Sequence, residues 1–136
     1  MDTTTQQTRT VLIERDFPHP PAKIWRTLTE PHLIAEWLMD TDFRSEVGNR
    51  FRFTAEWGAV DCEVLEIEPQ RLLSYSWGDG DLDTIVTFTL MPVAKGTRLR
   101  MEQTGFRSTQ PRYYGGAKQG WPRFFDGLEQ VLARLD

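Results

Sequence analysis

The sequence predicts an α+β fold in the order β-αα-β5-α, with a curved antiparallel six-stranded sheet wrapped around a long C-terminal helix. Three observations predict it. From Phe51 to Met101 apolar and polar residues alternate, broken only by turn-forming residues, which is the signature of an antiparallel meander. The segment from Trp121 to Leu135 switches to helical spacing. Between the first strand and the meander lie two short apolar-periodic runs, each opened by a proline.

The elements follow in order. Residues 1–8 are small and polar without apolar period, so they are expected to form a disordered tail ahead of a single domain over residues 9–136. Arg9 to Phe17 reads as a strand, with Val11, Ile13 and Phe17 on one face. Pro21 suits a first helical position, and Ile24, Trp25 and Leu28 share one helical face. Pro31 opens a second short helix whose apolar side is Leu33, Ile34, Trp37 and Leu38. The meander then runs through Phe51–Trp57, Val60–Val64, Leu73–Trp77, Val86–Leu90 and Leu99–Met101. In the last segment Trp121, Phe124, Phe125, Leu128, Leu132 and Leu135 form the stripe that covers the sheet. Pro122 is tolerated only in a first turn, so the regular helix is expected to start near Gly120 or to kink there.

Three hairpin registers keep the apolar residues on one face of the sheet. They pair Trp57 with Val60 (hence Phe53 with Val64), Trp77 with Thr84 (hence Tyr75 with Val86), and Leu90 with Thr97 (hence Val86 with Met101). Leu65 and Ile67 fall out of phase with Val64, which predicts a β-bulge near Leu65–Glu66 or a plain edge irregularity.

Composition narrows the function classes. A chain of 136 residues suffices to bury roughly two-thirds of its unfolded surface around one core. Sixteen Lys and Arg against twenty Asp and Glu leave a net charge of −4, which argues against a general nucleic-acid binder. No apolar run is long enough to insert in a membrane, and MDTTTQQTRT has no signal-peptide pattern, so the expected location is cytoplasmic. A single cysteine, Cys62, excludes an internal disulfide and a multi-cysteine zinc site.

The stretches IERDFPHPPAKIWRTLTEP, LIAEWL, EVGNRFRF, VLEIEPQRLLSYSW, VTFTLMPVAKGTRLRMEQTGF and GWPRFFDGLEQVL, taken in this order, resemble the helix-grip superfamily of START domains and birch-pollen-allergen-like proteins (SRPBCC). Within it the chain is similar to bacterial homologues of the activator of the heat-shock-protein-90 ATPase (AHSA-type), over about residues 9–135. Where relatives often carry two glycines this chain has Gly48-Asn49, and Asn tolerates positive φ. The resemblance implies the helix-grip fold. It leaves function open among ligand binders, cyclases and co-chaperone modules.

Groups that carry chemistry are sparse. His19 and His32 share no metal spacing, Cys62 reads as an inward core thiol, and the acidic loop Asp79–Asp83 lacks the glutamate that closes a calcium loop. Neither metal nor cofactor is expected, nor a nucleophile–base pair. Aromatic residues are abundant instead. Trp57, Tyr75 and Trp77, with Phe53, Phe88 and Met101, are placed on the concave face; Trp25, Trp37, Trp121 and Phe125 lie on helices that close over it. They either fill a core or line a cavity for a small hydrophobic or aromatic ligand, with Tyr75, Gln103 and Thr84 as its polar groups. Between Arg107 and Arg123 the chain carries four cations and no acid. This segment is either a solvated loop or a mobile lid in which Arg107, Arg112, Tyr113 and Tyr114 favour an anionic ligand. The leading expectation is a ligand-binding protein, monomer or homodimer. A cyclase- or hydrolase-type enzyme and a chaperone-partner module are the alternatives.

Overall fold

Alternation along the strands and proline punctuation between them carry through to the architecture. The computed structural model describes residues 8–135. Its elements are β1 (Thr8–Phe17), α1 (Pro21–Thr29), α2 (Pro31–Trp37), β2 (Asp40–Thr41), β3 (Arg50–Ala55), β4 (Gly58–Glu68), β5 (Leu72–Gly78), β6 (Asp83–Val93), β7 (Gly96–Arg107) and α3 (Pro111–Arg134). The strands form one antiparallel sheet in the order β1-β7-β6-β5-β4-β3-β2, curved around α3 in a helix-grip α+β fold. The six expected strands are all present. A seventh, β2, adds two residues at the β3 edge, too short for any periodicity to reveal. The tail expected over residues 1–8 lies outside the described residues except for Thr8, which pairs with Arg107 in β1.

The concave face is apolar apart from Thr84, Thr97 and Gln103. Phe51, Phe53, Val60, Cys62, Val64, Leu73, Tyr75, Trp77, Val86, Phe88, Leu90, Leu99 and Met101 are all buried beneath α3 and the two short helices. The outer face is laced with ion pairs, among them Arg52–Asp61 at 2.8 Å, Arg98–Asp16 at 2.8 Å and Arg100–Glu14 at 3.4 Å. All are exposed and contribute little stability each.

Two of the expected registers are corrected. The β3–β4 hairpin pairs Phe53 with Val60 and Ala55 with Gly58, so Glu56 and Trp57 form its two-residue turn. Gly58, at φ +146°, takes the left-handed conformation that follows the turn. In β6–β7, Leu90 pairs with Leu99 and Val86 with Gln103. The corrections are slips by an even number of residues, four in β3–β4 (Phe53 faces Val60, not Val64) and two in β6–β7, which leave every side chain on its own face, and a period-two pattern is blind to them. The β5–β6 register is as expected, with Trp77 opposite Thr84. The break expected at Leu65–Glu66 is present: Val64 pairs with Tyr75 and Glu66 with Ser74, leaving Leu65 over. A second bulge leaves Gly105 between β1 and β7 at φ +103°, where a Cβ would stand 2.9 Å from the Asp83 carbonyl oxygen.

The helix is the third correction. α3 starts at Pro111 and passes through Pro122, so the Lys118 carbonyl loses its helical N–H. All its buried residues (Trp121, Phe125, Leu128, Val131 and Leu132) nevertheless lie from Trp121 onward. The expected start near Gly120 is therefore where the core begins to hold the helix, not where its hydrogen bonding begins.

Candidate functional site

The grip is closed at one end and open at the other. At the closed end α1 and α2 cover the sheet, and Trp37 packs edge-on against Phe88 with centroids 6.3 Å apart while its Nε1–H donates to the Thr27 carbonyl at 2.8 Å. Around Tyr75, the rings of Phe43, Phe51, Phe53 and Phe88 lie 5.2–6.4 Å away. Phe53, Tyr75, Phe88, Met101 and Phe125 are each 3% exposed or less, and with Trp37 they form solid core. Burial pushes the Tyr75 phenol well above its ordinary pKa, with neighbouring Cys62 adding to the shift.

At the open end a pocket of about 260 Å³ remains. The sheet contributes Val60, Trp77, Gln103 and Phe106; the β3–β4 turn contributes Trp57, and the β5–β6 loop contributes Asp79 and Leu82. The N-terminal half of α3 closes it with Arg112, Tyr113, Gly116, Ala117, Gly120, Trp121 and Phe124. Six of these side chains are aromatic. Trp57 is 68% exposed and forms the rim, a position set by the turn it occupies. A wider depression of about 400 Å³ beside the β6–β7 turn has one aromatic, Phe17, in its lining.

The pocket floor is held by a buried relay. Trp121 Nε1–H donates to Gln103 Oε1 at 2.8 Å, Gln103 Nε2 donates to Thr84 Oγ1 at 2.9 Å, and Thr84 Oγ1 donates to the Trp77 carbonyl at 2.8 Å. Each link satisfies a group that burial would otherwise leave unpaired. At the mouth, Asp79 Oδ1 accepts the Leu82 N–H at 3.0 Å and the Tyr113 hydroxyl at 3.5 Å. Desolvation first, then the Asp79 and Asp81 carboxylates, raise the Tyr113 pKa and keep the phenol a donor. Arg112 makes no ion pair among the described residues.

Comparison with known proteins places this architecture. A family model described as "Activator of Hsp90 ATPase homolog 1-like protein" matches residues 18–133. The chain belongs to this family. The crystal structure of protein MLL2253 from Mesorhizobium loti is 57% identical, covers 94% of this chain and 99% of its own, and superposes with a TM-score of 0.92. DynU16, a protein in the dynemicin biosynthetic locus, is 24% identical over 91% of this chain and 47% of its own, with a TM-score of 0.79. The Aha1 dimer from Colwellia psychrerythraea is 19% identical over 91% of this chain and 96% of its own, with a TM-score of 0.83. These last two share the fold. No curated protein gives a significant match.

In this AHSA1-like chain, Trp57, Trp77, Gln103, Tyr113 and Trp121 come together at the pocket. Trp25 lies elsewhere, half-buried on α1 against the edge of the core. Sequence reasoning missed Phe106, Leu82, Gly116 and Gly120. The two glycines carry a legible signal, since glycines are costly inside a helix. Arg112, Tyr113 and Tyr114, expected in a loop lid, stand on the first turns of α3, and Arg107 ends β7. Cys62 faces the core, and burial, with Asp61 adding to it, pushes its thiol far above the ordinary range. Burial first, then the Lys23 ammonium, whose Nζ lies 3.1 Å from Nδ1, lower the His19 pKa from its ordinary value. Among the described residues no cluster of His, Cys, Asp and Glu is fit to hold a metal, and no helix is long and apolar enough to cross a membrane.

Proposed function

We propose that the protein binds a compact aromatic molecule bearing an anionic group, with its rings in the pocket and its charge at Arg112. The bare helical wall carries this reading. A Cβ added at Gly116 would meet nothing within 4 Å, and one at Gly120 would touch only the Phe124 ring at 3.9 Å. Packing therefore does not require either glycine, while each costs a helix about 1 kcal/mol relative to alanine. What their missing side chains leave is room opposite the Trp77 and Trp57 rings. A volume of about 260 Å³ lies at the small end for organic ligands and suits a one- or two-ring body.

The charge preference rests on the mouth. Asp79 is engaged by Leu82 and Tyr113, whereas the Arg112 guanidinium has no ion-pair partner among the described residues and is open to a carboxylate. Among the described residues the exposed apolar side chains of the sheet are scattered: Leu12 and Ile85 are separated by Glu102 and Thr104 of β7, and Leu65 stands apart on β4, which does not favour a chaperone surface.

A matched pair of probes tests the reading. Titration with 2-naphthoate and 2-naphthamide, followed by tryptophan fluorescence, should show the acid binding about three- to tenfold tighter. In Arg112→Gln that preference should vanish with amide affinity unchanged. Equal weakening of both probes would contradict a charge role for Arg112, and no binding of either would contradict the pocket.

A further inference from the structure

The first ten residues of α3 roof the pocket, and apart from Pro111, which suits a first helical position, the local features there disfavour a helix. The N-cap Gln110 makes no side-chain cap, and no acid lies in the first turn to complement the helix dipole. Gly115, Gly116 and Gly120 follow within six residues, none constrained by a close backbone neighbour. Pro122 then removes the bond to the Lys118 carbonyl. No residue of 111–120 is buried, whereas five of the next fourteen are. The helix thus consists of an anchored half and a half held by a few contacts.

Tyr113, Tyr114 and Ala117 rest partly buried against the core; the polar contacts of Gln110 and Tyr113 lie at the mouth, and those of Tyr114 on the β1 side. Gln110 Nε2 donates to the Asp81 carbonyl at 3.0 Å, and the Tyr113 hydroxyl reaches Asp79 at 3.5 Å. The Tyr114 ring rests on Phe106 at 5.8 Å, with the Arg9 and Lys118 cations 5.2 and 5.9 Å from its centroid. At the junction, Trp121 is pinned by its 2.8 Å bond to Gln103. We propose that residues 111–120 are the door of the pocket: they unwind as a unit about the Gly120–Pro122 junction to admit a ligand, and rewind over it. The door serves the site proposed above and rests on that reading. A helix that opens locally exposes its backbone amides on a faster timescale than the rest of the fold, which gives the opening its own observable.

Hydrogen exchange on the free protein tests the opening without any ligand. Peptides covering 111–120 should exchange about a hundredfold faster than those covering 124–134. Equal protection of the two halves would overturn the door. Gly115→Ala tests the route: Gly115 does not line the pocket, and its Cβ meets nothing within 4 Å. Alanine there stabilises the wound state with and without ligand. Stopped-flow rates for 2-naphthoate should therefore fall about fivefold in both association and dissociation, with Kd unchanged. An unchanged association rate, with 2-naphthoate still binding, would overturn this route of entry. If wild type fails to bind the probe at all, the pocket reading falls, and the exchange contrast alone decides whether the half-helix opens.

Discussion

Replacing Gln103 with leucine should destabilise the fold by about 2–3 kcal/mol, lowering Tm by about 7–10 °C for a chain of this length. The volume change is small, so the effect is electrostatic in origin. In the wild type, Gln103 accepts from Trp121 Nε1–H and donates to Thr84 Oγ1 at the base of the pocket. Leucine leaves the indole N–H buried with no acceptor, and an orphaned buried donor bears its full desolvation cost. Thr84 is less affected, because its own proton still goes to the Trp77 carbonyl. The double variant Gln103→Leu/Trp121→Phe removes the orphan, so its cost should fall short of the sum of the singles by about 1 kcal/mol. Thermal unfolding of the four proteins measures that coupling, and strictly additive costs would show that the relay holds nothing.

The second large effect has opposite signs for stability and binding. Gly116→Leu places a side chain into open space on the pocket wall, replacing a poor helix former by a good one. Tm should rise by about 2–4 °C, while affinity for 2-naphthoate falls about tenfold to a hundredfold because leucine takes the ring's place. A variant that gains stability and loses binding is hard to explain by damage to the fold. Loss of stability together with binding would mean that the glycine is structural after all.

Much of the fold was legible because its signals are periodic. The side-chain face of every meander strand, the prolines that open α1 and α2, and the bulge at Leu65 follow from spacing and from backbone chemistry. The two register errors came from the same source: a slip by any even number of residues preserves the pattern, so the alternation of Phe53 and Val60 cannot tell which residue each faces. Turn chemistry misleads here, since Gly58-Ala59 fits the Gly-first pattern of a two-residue turn, whereas Gly58 in fact follows the Glu56-Trp57 turn. The site was only half legible. Aromatic residues announce themselves, but core and pocket use the same kinds of ring, and only curvature and helix placement separate Phe53 and Phe88 from Trp77 and Trp121. Pro122 concealed the roof, because a proline reads as a helix start when the turns before it are glycine-rich and unburied.

The central claim, that a ligand occupies the open end and not the closed one, is tested most directly by the indole N–H resonances of the five tryptophans. Trp57, Trp77 and Trp121 line the pocket, whereas Trp25 and Trp37 lie outside it. Titrating the labelled protein with 2-naphthoate should move the first three resonances along one saturation curve and leave the other two in place. Shifts centred on Trp25 and Trp37, or none among the five at millimolar probe, would contradict it.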